Sequence, residues 1–273
     1  MVVRTFFILV LGCLIGTACV ERKQNNTFEL SEIDSVESDT ILLAPEKALQ
    51  PDANDGLFDD FLFEFLRNPN FQKNRVKYPL PINEDVVDRD FSISENWGFN
   101  ESSTSAMLFT SADALTLAKD TSLNDVIVDV LCLQTDSIRQ FVFQRFAQRW
   151  WLQKINIMKT IEHRNRSFYR FYTLFTKDSI YQQQHILNPF YFKTEDDYSE
   201  EIISGSVNAE SWLEYAPELP QNYLICINYI HKSDSKSSRE RILVLPDVSA
   251  GMSTILKFKR VRDSWWLKEL EYN

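Results

Sequence analysis

The sequence predicts an α+β protein in which one module occurs twice along the chain, and three observations support this prediction. Phenylalanines at helical spacing lie in two segments, residues 58–80 and 168–190, which align at a constant shift. Downstream of each segment, apolar and polar residues alternate as they do in half-buried strands. Each copy closes with two adjacent tryptophans, at 150–151 and at 265–266. We therefore expect each copy to hold two helices followed by about four antiparallel strands.

Each helical segment is predicted to contain a helix, a break and a second, short helix. The aligned aromatic pairs are Phe58 with Phe168, Phe61 with Phe171 and Phe65 with Phe175. Their spacing puts the aromatic side chains of each copy on one helix face. Asn68 and Asp178 are expected to cap the second helix, because their side-chain oxygens can accept the free N–H groups of its first turn. Pro79 and Pro189 are expected to end it, because proline disfavours helical geometry in the residue before it.

The strands of each copy are predicted from alternation and from two aligned hairpins. Residues 143–145 align with 258–260, and a short turn follows each, at 147–149 and at 262–264. Adjacent residues of a strand point to opposite faces, so one tryptophan of each pair is expected beneath the helices and the other on the outer face or at an interface. Earlier strands are expected at 107–109, 126–133, 224–229 and 242–245.

The basic and aromatic stretch from Arg164 to Tyr172 is predicted to enter the first helix of the second copy. Phe168, Phe171 and Tyr172 are expected in the core, because they lie on one face of that helix. The arginines of this stretch are expected to point to solvent.

The amino terminus has the pattern of an export signal. Arg4, an apolar stretch over 6–15 that is too short to span a bilayer, and the small residues 16–18 predict a signal peptide over residues 1–18. Cys19 follows directly and is predicted to be the lipid attachment site, as in the lipobox of a bacterial lipoprotein. Cys13 is the alternative. An ordinary signal peptide with incidental cysteines is also open, although the polar residues directly after Cys19 favour the lipoprotein.

Residues 19–54 are polar and acidic and are predicted to form a flexible tether. Val20 occupies the position where an Asp retains enterobacterial lipoproteins at the inner membrane, which favours the outer membrane of the cell envelope. The triplets at 34–36 and 39–41 resemble the O-glycosylation sites of Bacteroides-type bacteria, although so short a pattern also occurs by chance.

The order of helices and strands in each copy resembles the nuclear-transport-factor-like fold, a cone of helices laid against a strongly curved sheet. With the lipobox and the tether, the chain resembles an uncharacterised lipoprotein family of Bacteroides and relatives. The resemblance implies an α+β fold with two tandem cone-like domains, each with N-terminal helices packed on a curved antiparallel sheet. These domains are expected at residues 55–158 and 159–273. The alternative is one large α+β domain whose aromatic pairs match by coincidence.

The composition argues against several function classes. The chain is acidic, with a formal net charge of −10, so nucleic acid is not an expected partner. The clustered acids at 59–60, 195–197 and 200–201 are expected on solvated faces, because they lack the staggered oxygen ligands and glycine turn of a calcium site. The sequence has no glycine-rich phosphate loop and no Gly-x-Ser-x-Gly nucleophile motif. No cofactor is therefore predicted.

Histidine and cysteine spacing does not predict a metal site. His163, His185 and His231 each lack a second histidine or cysteine at ligand spacing. His185 is expected to have a structural role at the surface or half-buried. Cys132 and Cys226 lie in apolar, strand-like runs, which leaves both a disulfide and two buried thiols open. Thiols are favoured, because the two cysteines have no compact spacing.

Some proteins with the cone fold are enzymes, and in the ketosteroid isomerase type a carboxylate base works with a tyrosine and a protonated acid. The residues that could be nominated for such roles here are Tyr78, Asp85 and Trp97 in the first copy and Tyr191, Asp196 and Trp212 in the second. The sequence places none of these side chains in a pocket. We therefore predict no catalytic, cofactor-binding or metal-binding residue.

These observations together favour a lipid-anchored protein of the cell envelope that is not an enzyme. Its expected contacts are the membrane, through the lipid on Cys19, and an unknown small ligand or envelope protein. The alternative is a hydrolase or isomerase with its site in one cone, whose concave face is suited to small molecules. A third reading is a structural subunit that uses its outward tryptophans as interface anchors.

Overall fold

The computed structural model describes residues 52–90, 103–195, 201–229, 238–246 and 253–272. Outside the described residues lie the predicted signal peptide, Cys19, the predicted tether up to residue 51, Trp97, Asp196 and His231. Residues 48–273 belong to one compact unit. Within the described stretches, no helix has the length and apolar character needed to cross a membrane.

The described helices are short and occur in two groups. The α-helices are α1 (Phe58–Arg67), α2 (Pro69–Asn74), α3 (Arg166–Phe175), α4 (Ser179–Gln184) and α5 (Trp212–Tyr215). Short 3-10 helices cover Ala53–Asp55, Asp113–Lys119, Thr160–Glu162 and Ala209–Ser211.

The described strands form one large sheet. In chain order they are β1 (Leu80–Ile82), β2 (Asp85–Val87), β3 (Ser103–Phe109), β4 (Asp125–Cys132), β5 (Ser137–Phe146), β6 (Arg149–Lys159), β7 (Ile186–Glu195), β8 (Ile202–Val207), β9 (Tyr223–Tyr229), β10 (Glu240–Pro246), β11 (Ser253–Val261) and β12 (Ser264–Tyr272). Their order across the sheet is β2-β1-β6-β5-β4-β9-β3-β10-β11-β12-β7-β8. The fold is therefore α+β, as predicted, with few helices on a twelve-stranded sheet.

The two predicted helical segments have the same architecture. In each, a ten-residue helix is followed by a six-residue helix, and the aligned phenylalanines are buried. Asn68 caps α2 by accepting the N–H groups of Asn70 and Phe71, and Asp178 caps α4 in the same way. The predicted helix pairs and caps are confirmed.

The predicted role of the two prolines was wrong. The short helices end at Asn74 and Gln184, several residues before Pro79 and Pro189, which lie in extended chain next to β1 and inside β7. The chain leaves the first of these helices early because it pairs with β6, where the N–H of Lys77 donates to the carbonyl oxygen of Leu152. Both prolines follow a cis peptide bond.

Both faces of the central sheet are covered, each by one group of helices. Alternate residues of β9 belong to different cores: Ile225 and Ile227 pack in the cluster that contains α1, whereas Leu224 and Cys226 pack in the cluster that contains α3. Since adjacent side chains of a strand point to opposite faces, α1 and α3 lie on opposite sides of the sheet. The nearly unbroken apolar sequence of β9 reflects this two-sided burial.

Strands from the two predicted copies pair across the middle of the sheet. β9 lies between β4 and β3, and β3 lies between β9 and β10. β3 and β9 pair in parallel, and the strand orders on their two sides mirror each other. Strands from the first and the second predicted copy are thus interleaved at the centre of the sheet, which the sequence did not predict.

The predicted hairpins and the alternation of their tryptophans are confirmed. β5 and β6 are joined by Ala147 and Gln148, both with positive φ, the geometry of a two-residue type I′ turn. Trp150 is buried edge-on against Phe58, with ring centroids 4.9 Å apart, and Trp151 on the other face is half-buried. The second hairpin repeats this arrangement, with one buried and one half-buried tryptophan.

Cys132 and Cys226 are free thiols. They lie on the neighbouring strands β4 and β9, but Cys226 pairs in register with Asp129, three residues away from Cys132. In this register the two cysteine side chains point to opposite faces of the sheet, because positions separated by an odd number of residues alternate. A bridge between them is therefore excluded by geometry.

The folded part begins earlier than predicted. Asp52, in the predicted tether, and Asp55, the first residue of the predicted first domain, both form ion pairs with the buried Arg75. Asp55 also accepts the backbone N–H of Trp150 at 3.0 Å, and its side chain is 1% exposed. Burial by itself raises the pKa of Asp55, but the hydrogen bonds from Arg75 and from backbone N–H groups outweigh it and lower the pKa.

Candidate functional site

A cavity of about 490 Å³ lies where the amino terminus of α3 meets the ends of the central strands. Its lining residues are Leu108, Thr110, Arg164, Asn165, Arg166, Ser167, Asn228, Tyr229, Ser238, Arg241, Arg260 and Trp265. They come from both predicted copies: β3 and its end belong to the first, and the other residues belong to the second. The volume falls in the range of small-molecule sites, about 300–1,000 Å³.

Four arginines converge on this cavity although the chain as a whole is acidic. Arg164 and Arg166 are exposed, as predicted, but they lie at the cavity and not on an open helix face. Arg241 and Arg260 are half-buried and come from β10 and β11. Among the described lining residues there is no aspartate or glutamate. The described part of the cavity lining is therefore positively charged.

A buried carboxylate lies beneath α3, on the sheet face that this helix covers. Asp129, in β4, is 0% exposed. Its Oδ2 accepts hydrogen bonds from the Tyr169 hydroxyl at 2.7 Å and from Asn228 Nδ2 at 2.9 Å, and lies 3.2 Å from His163 Nε2. Its Oδ1 accepts one from Gln140 Nε2 at 3.1 Å. Four donors thus surround one carboxylate.

The hydrogen bonds of His163 fix its tautomer. Its Nδ1 accepts the backbone N–H of Asn165 at 3.1 Å, so that nitrogen carries no proton. The proton therefore lies on Nε2, which faces Asp129. The ring also stacks on Tyr169, with centroids 5.1 Å apart, and only 2% of the residue is exposed.

The pKa values of Asp129 and Tyr169 follow from this arrangement. Burial by itself raises the pKa of Asp129, but the hydrogen bonds from His163, Tyr169 and Gln140 outweigh it and keep the pKa below its usual value. The pKa of Tyr169 is raised well above its usual value, first by burial and then by the charge of Asp129. The tyrosine therefore stays protonated and donates to a charged carboxylate.

Two asparagines connect this buried network to the cavity. Asn165 Nδ2 donates to Asn228 Oδ1 at 3.3 Å, and Asn165 Oδ1 accepts a hydrogen bond from Arg241 at 3.2 Å. Both asparagines line the cavity, and both are more than nine-tenths buried. The network thus fixes the polar floor of the cavity and the position of one arginine.

The chemistry available to the Asp129–His163 pair is limited. In an acid–base dyad the second ring nitrogen must be able to take a proton from substrate. Here that nitrogen, Nδ1, is occupied by the N–H of Asn165. Asp129 likewise has no exposed oxygen. The arrangement is suited to positioning Asn165 and Asn228, not to proton transfer.

The residues nominated as enzymatic candidates are not brought together. Asp85 is exposed on β2, and Tyr191 is 52% exposed on β7. Tyr78 is half-buried before β1, and its hydroxyl has no hydrogen-bond partner among the described residues. Trp212 is fully buried, and its indole N–H donates to Gln182 Oε1 at 2.8 Å. Trp97 and Asp196 lie outside the described residues.

Two further sequence expectations are resolved by the structure. His185 is half-buried at the end of α4, where it stacks on Tyr181 with ring centroids 3.9 Å apart, so the predicted structural role is confirmed. The prediction that the acid pair at 59–60 is solvated was wrong for Asp59, which is half-buried and accepts a hydrogen bond from the Tyr229 hydroxyl. Burial raises the pKa of both partners.

A second cavity, of about 450 Å³, lies at the β5–β6 hairpin, on the sheet face opposite the one that α1 covers. It is lined by Lys77, Asn124, Asp125, Gln144, Arg145, Phe146, Trp151 and Gln153. Its described lining contains none of the residues of the buried polar network.

The fold matches a known structural class. The structure is similar to the crystal structure, at 2.15 Å resolution, of an NTF2-like protein from Bacteroides fragilis NCTC 9343, with a TM-score of 0.69 and 29% sequence identity. The similarity covers 82% of this chain and 99% of that one. The protein thus has an NTF2-like α+β fold with a cavity beneath one helix.

The family is shown by the sequence itself. The model of a domain of unknown function, DUF4348, matches residues 37–272, and the chain therefore belongs to this family. No curated protein matches the chain.

Proposed function

We propose that this protein is a non-enzymatic ligand-binding protein and that the cavity at the amino terminus of α3 is its binding site. The observation that carries the proposal is a cavity of small-molecule size whose polar floor is held by a fully hydrogen-bonded buried network. Such a floor loses little freedom when a ligand binds, because Asn165 and Asn228 are already fixed.

The proposal is tested with a set of neutral, cationic and anionic small molecules. Ser167 is exposed where it lines the cavity, so Ser167→Trp should fill its mouth. Arg170→Trp is the matched control, because Arg170 is exposed on the same helix but does not line the cavity. We expect at least one class of compound to raise the melting temperature of the wild type and of Arg170→Trp, but not of Ser167→Trp. If no class does so, the proposal is wrong.

We also propose that the protein is anchored in the outer membrane by lipid on Cys19. The support is the sequence pattern around Cys19 and the polar stretch that follows it. Two or three acyl chains would make the anchor effectively permanent, since each buried methylene contributes about 0.8 kcal/mol. Metabolic labelling with a fatty-acid probe should mark the wild type and Cys13→Ser but not Cys19→Ser, and the label should fractionate with outer membranes. Label retained in Cys19→Ser would contradict the proposal.

The two halves are proposed to be duplicated cone-like modules. The support is their matched order of elements and matched contacts: Phe58 and Phe143 have ring centroids 5.3 Å apart, and so do Phe168 and Phe258. Because β3 and β9 pair across the halves, neither half is expected to fold alone. A half that gave cooperative unfolding by circular dichroism would contradict this.

A hydrolase or isomerase is the second candidate, and one observation favours it: the buried carboxylate of Asp129 lies 2.7 Å from the Tyr169 hydroxyl. Against it, all the donors around Asp129 are satisfied within the protein and His163 Nδ1 is occupied. Asp129→Asn should therefore change stability and ligand affinity together. An activity that disappears in a stably folded Asp129→Asn protein would establish the enzyme instead.

A further inference from the structure

We infer that the ligand of this cavity carries an oxyanion, a carboxylate, phosphate or sulfate group, which lies among Arg164, Arg166, Arg241 and Arg260. The inference rests on the proposed function of the cavity as a ligand site and specifies the chemistry of that ligand. Three independent features of the described residues support it.

The first feature is the charge of the lining. Four guanidinium groups face one cavity, and the described lining contains no carboxylate. Among the described residues, Arg260 pairs loosely with Asp263, at 3.8 Å, and the side chain of Asp263 is fully exposed to solvent. Neither Arg164 nor Arg166 forms an ion pair with any described residue. The guanidinium groups of Arg164, Arg166 and Arg260 repel one another, and an oxyanion between them offsets that repulsion.

The second feature is the polarity of α3. The amino terminus of a helix carries partial positive charge, which acidic residues usually balance. The first turn of α1 follows this rule, with Asp59 and Asp60. The first turn of α3 has no acidic residue and no side-chain cap, and its first residue is Arg166. An anion at this end would supply the negative charge that the sequence omits.

The third feature is the fixed orientation of Arg241. Its guanidinium donates to the carbonyl oxygen of Glu240 at 2.6 Å and to Asn165 Oδ1 at 3.2 Å, and it stacks over Trp265 at 5.4 Å. A guanidinium held in this way loses little freedom when a ligand binds beside it. The Nε of Arg260 is buried and has no hydrogen-bond acceptor among the described residues. A bound oxyanion would provide one.

The volume of the cavity indicates how large the ligand is. At about 490 Å³ it is much larger than a single phosphate or sulfate ion. Leu108 and the indole of Trp265 provide apolar surface beside the arginines. The ligand is therefore expected to be an organic molecule with an acidic group at one end, and an inorganic oxyanion should bind weakly as a fragment of it.

The inference is tested by calorimetric titration of the purified protein with inorganic phosphate, sulfate, citrate and a short-chain phosphatidic acid. Glycerol and choline are the neutral and cationic comparisons. Tighter binding of phosphatidic acid than of the other three anions would indicate a lipid headgroup as the ligand, and the reverse would indicate a free oxyanion. We expect oxyanions to bind and glycerol and choline not to, with affinity that falls as salt is added.

The variants are Arg241→Gln and the double variant Arg164→Gln/Arg166→Gln, with Arg170→Gln as the matched control. Loss of one charge-assisted contact should weaken oxyanion binding about tenfold or more, and the control should bind like the wild type. Arg164 and Arg166 are exposed, so the double variant should unfold at the wild-type temperature.

The possible outcomes separate the two proposals. If neutral compounds bind and Ser167→Trp blocks them, while no oxyanion binds, the inference is wrong and the proposed function stands. If nothing binds the cavity, the proposed function is wrong. If oxyanions bind the double variant and Arg170→Gln equally, their site lies elsewhere and the inference is wrong.

Discussion

Asp129 offers the sharpest test of the buried network, because the same pair of strands contains its own control. Asp129 and Asp125 both lie on β4, and each pairs in register with a glutamine of β5 that donates to its carboxylate, Gln140 and Gln144 respectively. The two pairs differ in burial: Asp129 is 0% exposed, whereas Asp125 is exposed. Replacing each aspartate by alanine therefore compares one interaction in two environments.

The expected magnitudes differ several-fold. Asp129→Ala leaves the donors of His163, Tyr169, Gln140 and Asn228 without their acceptor. Each unsatisfied buried donor costs about 1–3 kcal/mol, the losses overlap, and breaking a buried charged network costs about 3–5 kcal/mol. Asp125→Ala removes one exposed hydrogen bond, and such surface changes fall within about 0.5 kcal/mol.

Urea denaturation followed by tryptophan fluorescence measures both variants against the wild type. We expect Asp129→Ala to lose about 3–5 kcal/mol of unfolding free energy, a large part of the 5–15 kcal/mol typical of a domain. If the two variants lost similar and small amounts, the hydrogen-bond network around Asp129 would be wrong.

Three further predictions follow from the buried groups. The pKa of Asp129 is lower in the folded than in the unfolded state. The ionised carboxylate therefore stabilises the fold fully above the unfolded pKa of 3.8, and this contribution is lost as the pH falls through the folded pKa. Asp129→Asn should flatten this loss of unfolding free energy in urea titrations from pH 6 to about pH 3. Trp150→Ala should cost about 3–5 kcal/mol and Trp151→Ala clearly less, because only the former side chain is buried; equal melting temperatures would contradict the assignment of faces. Arg75→Gln should cost about 3–5 kcal/mol in denaturant titrations, since it removes the cation closest to the buried carboxylate of Asp55 and leaves only Arg149, 3.9 Å away, among the described residues; a change below about 1 kcal/mol would contradict this ion pair.

The sequence was sufficient for the helix pairs, their caps and the faces of the tryptophans, but not for the role of the two prolines. Phe58, Phe61 and Phe65 repeat at helical spacing, and Asn68 has the side chain of a cap, so the helix pairs could be located from residues close in the chain. The tryptophan faces followed from the two-residue period of a strand. These features depend on neighbours in sequence, and they were confirmed.

The pairing of β3 with β9 could not be predicted in this way. β9 and residues 106–109 of β3 are apolar on both faces, so their patterns specify burial but not a partner. Residues 103–109 and 223–229 are far apart in the chain, and no local signal indicates which half either strand will join.

The site was missed for a similar reason. Asp129 is the one charge within the apolar run from Val126 to Leu133, and that mismatch was the signal available. Its partner His163 lies on the far side of a hairpin, and neither residue belongs to a motif. The four arginines come from three separate segments of the chain, so only the fold brings them to one cavity.

The most direct test of the cavity is an NMR titration of the isotopically labelled protein with citrate, monitored at backbone amides and tryptophan indole N–H groups. The binding site proposed here predicts saturable shifts at Arg166, Ser167, Asn228 and the indole of Trp265, with the indole of Trp151 unmoved. Shifts centred on Trp151, or no shift at the four cavity positions, would contradict it.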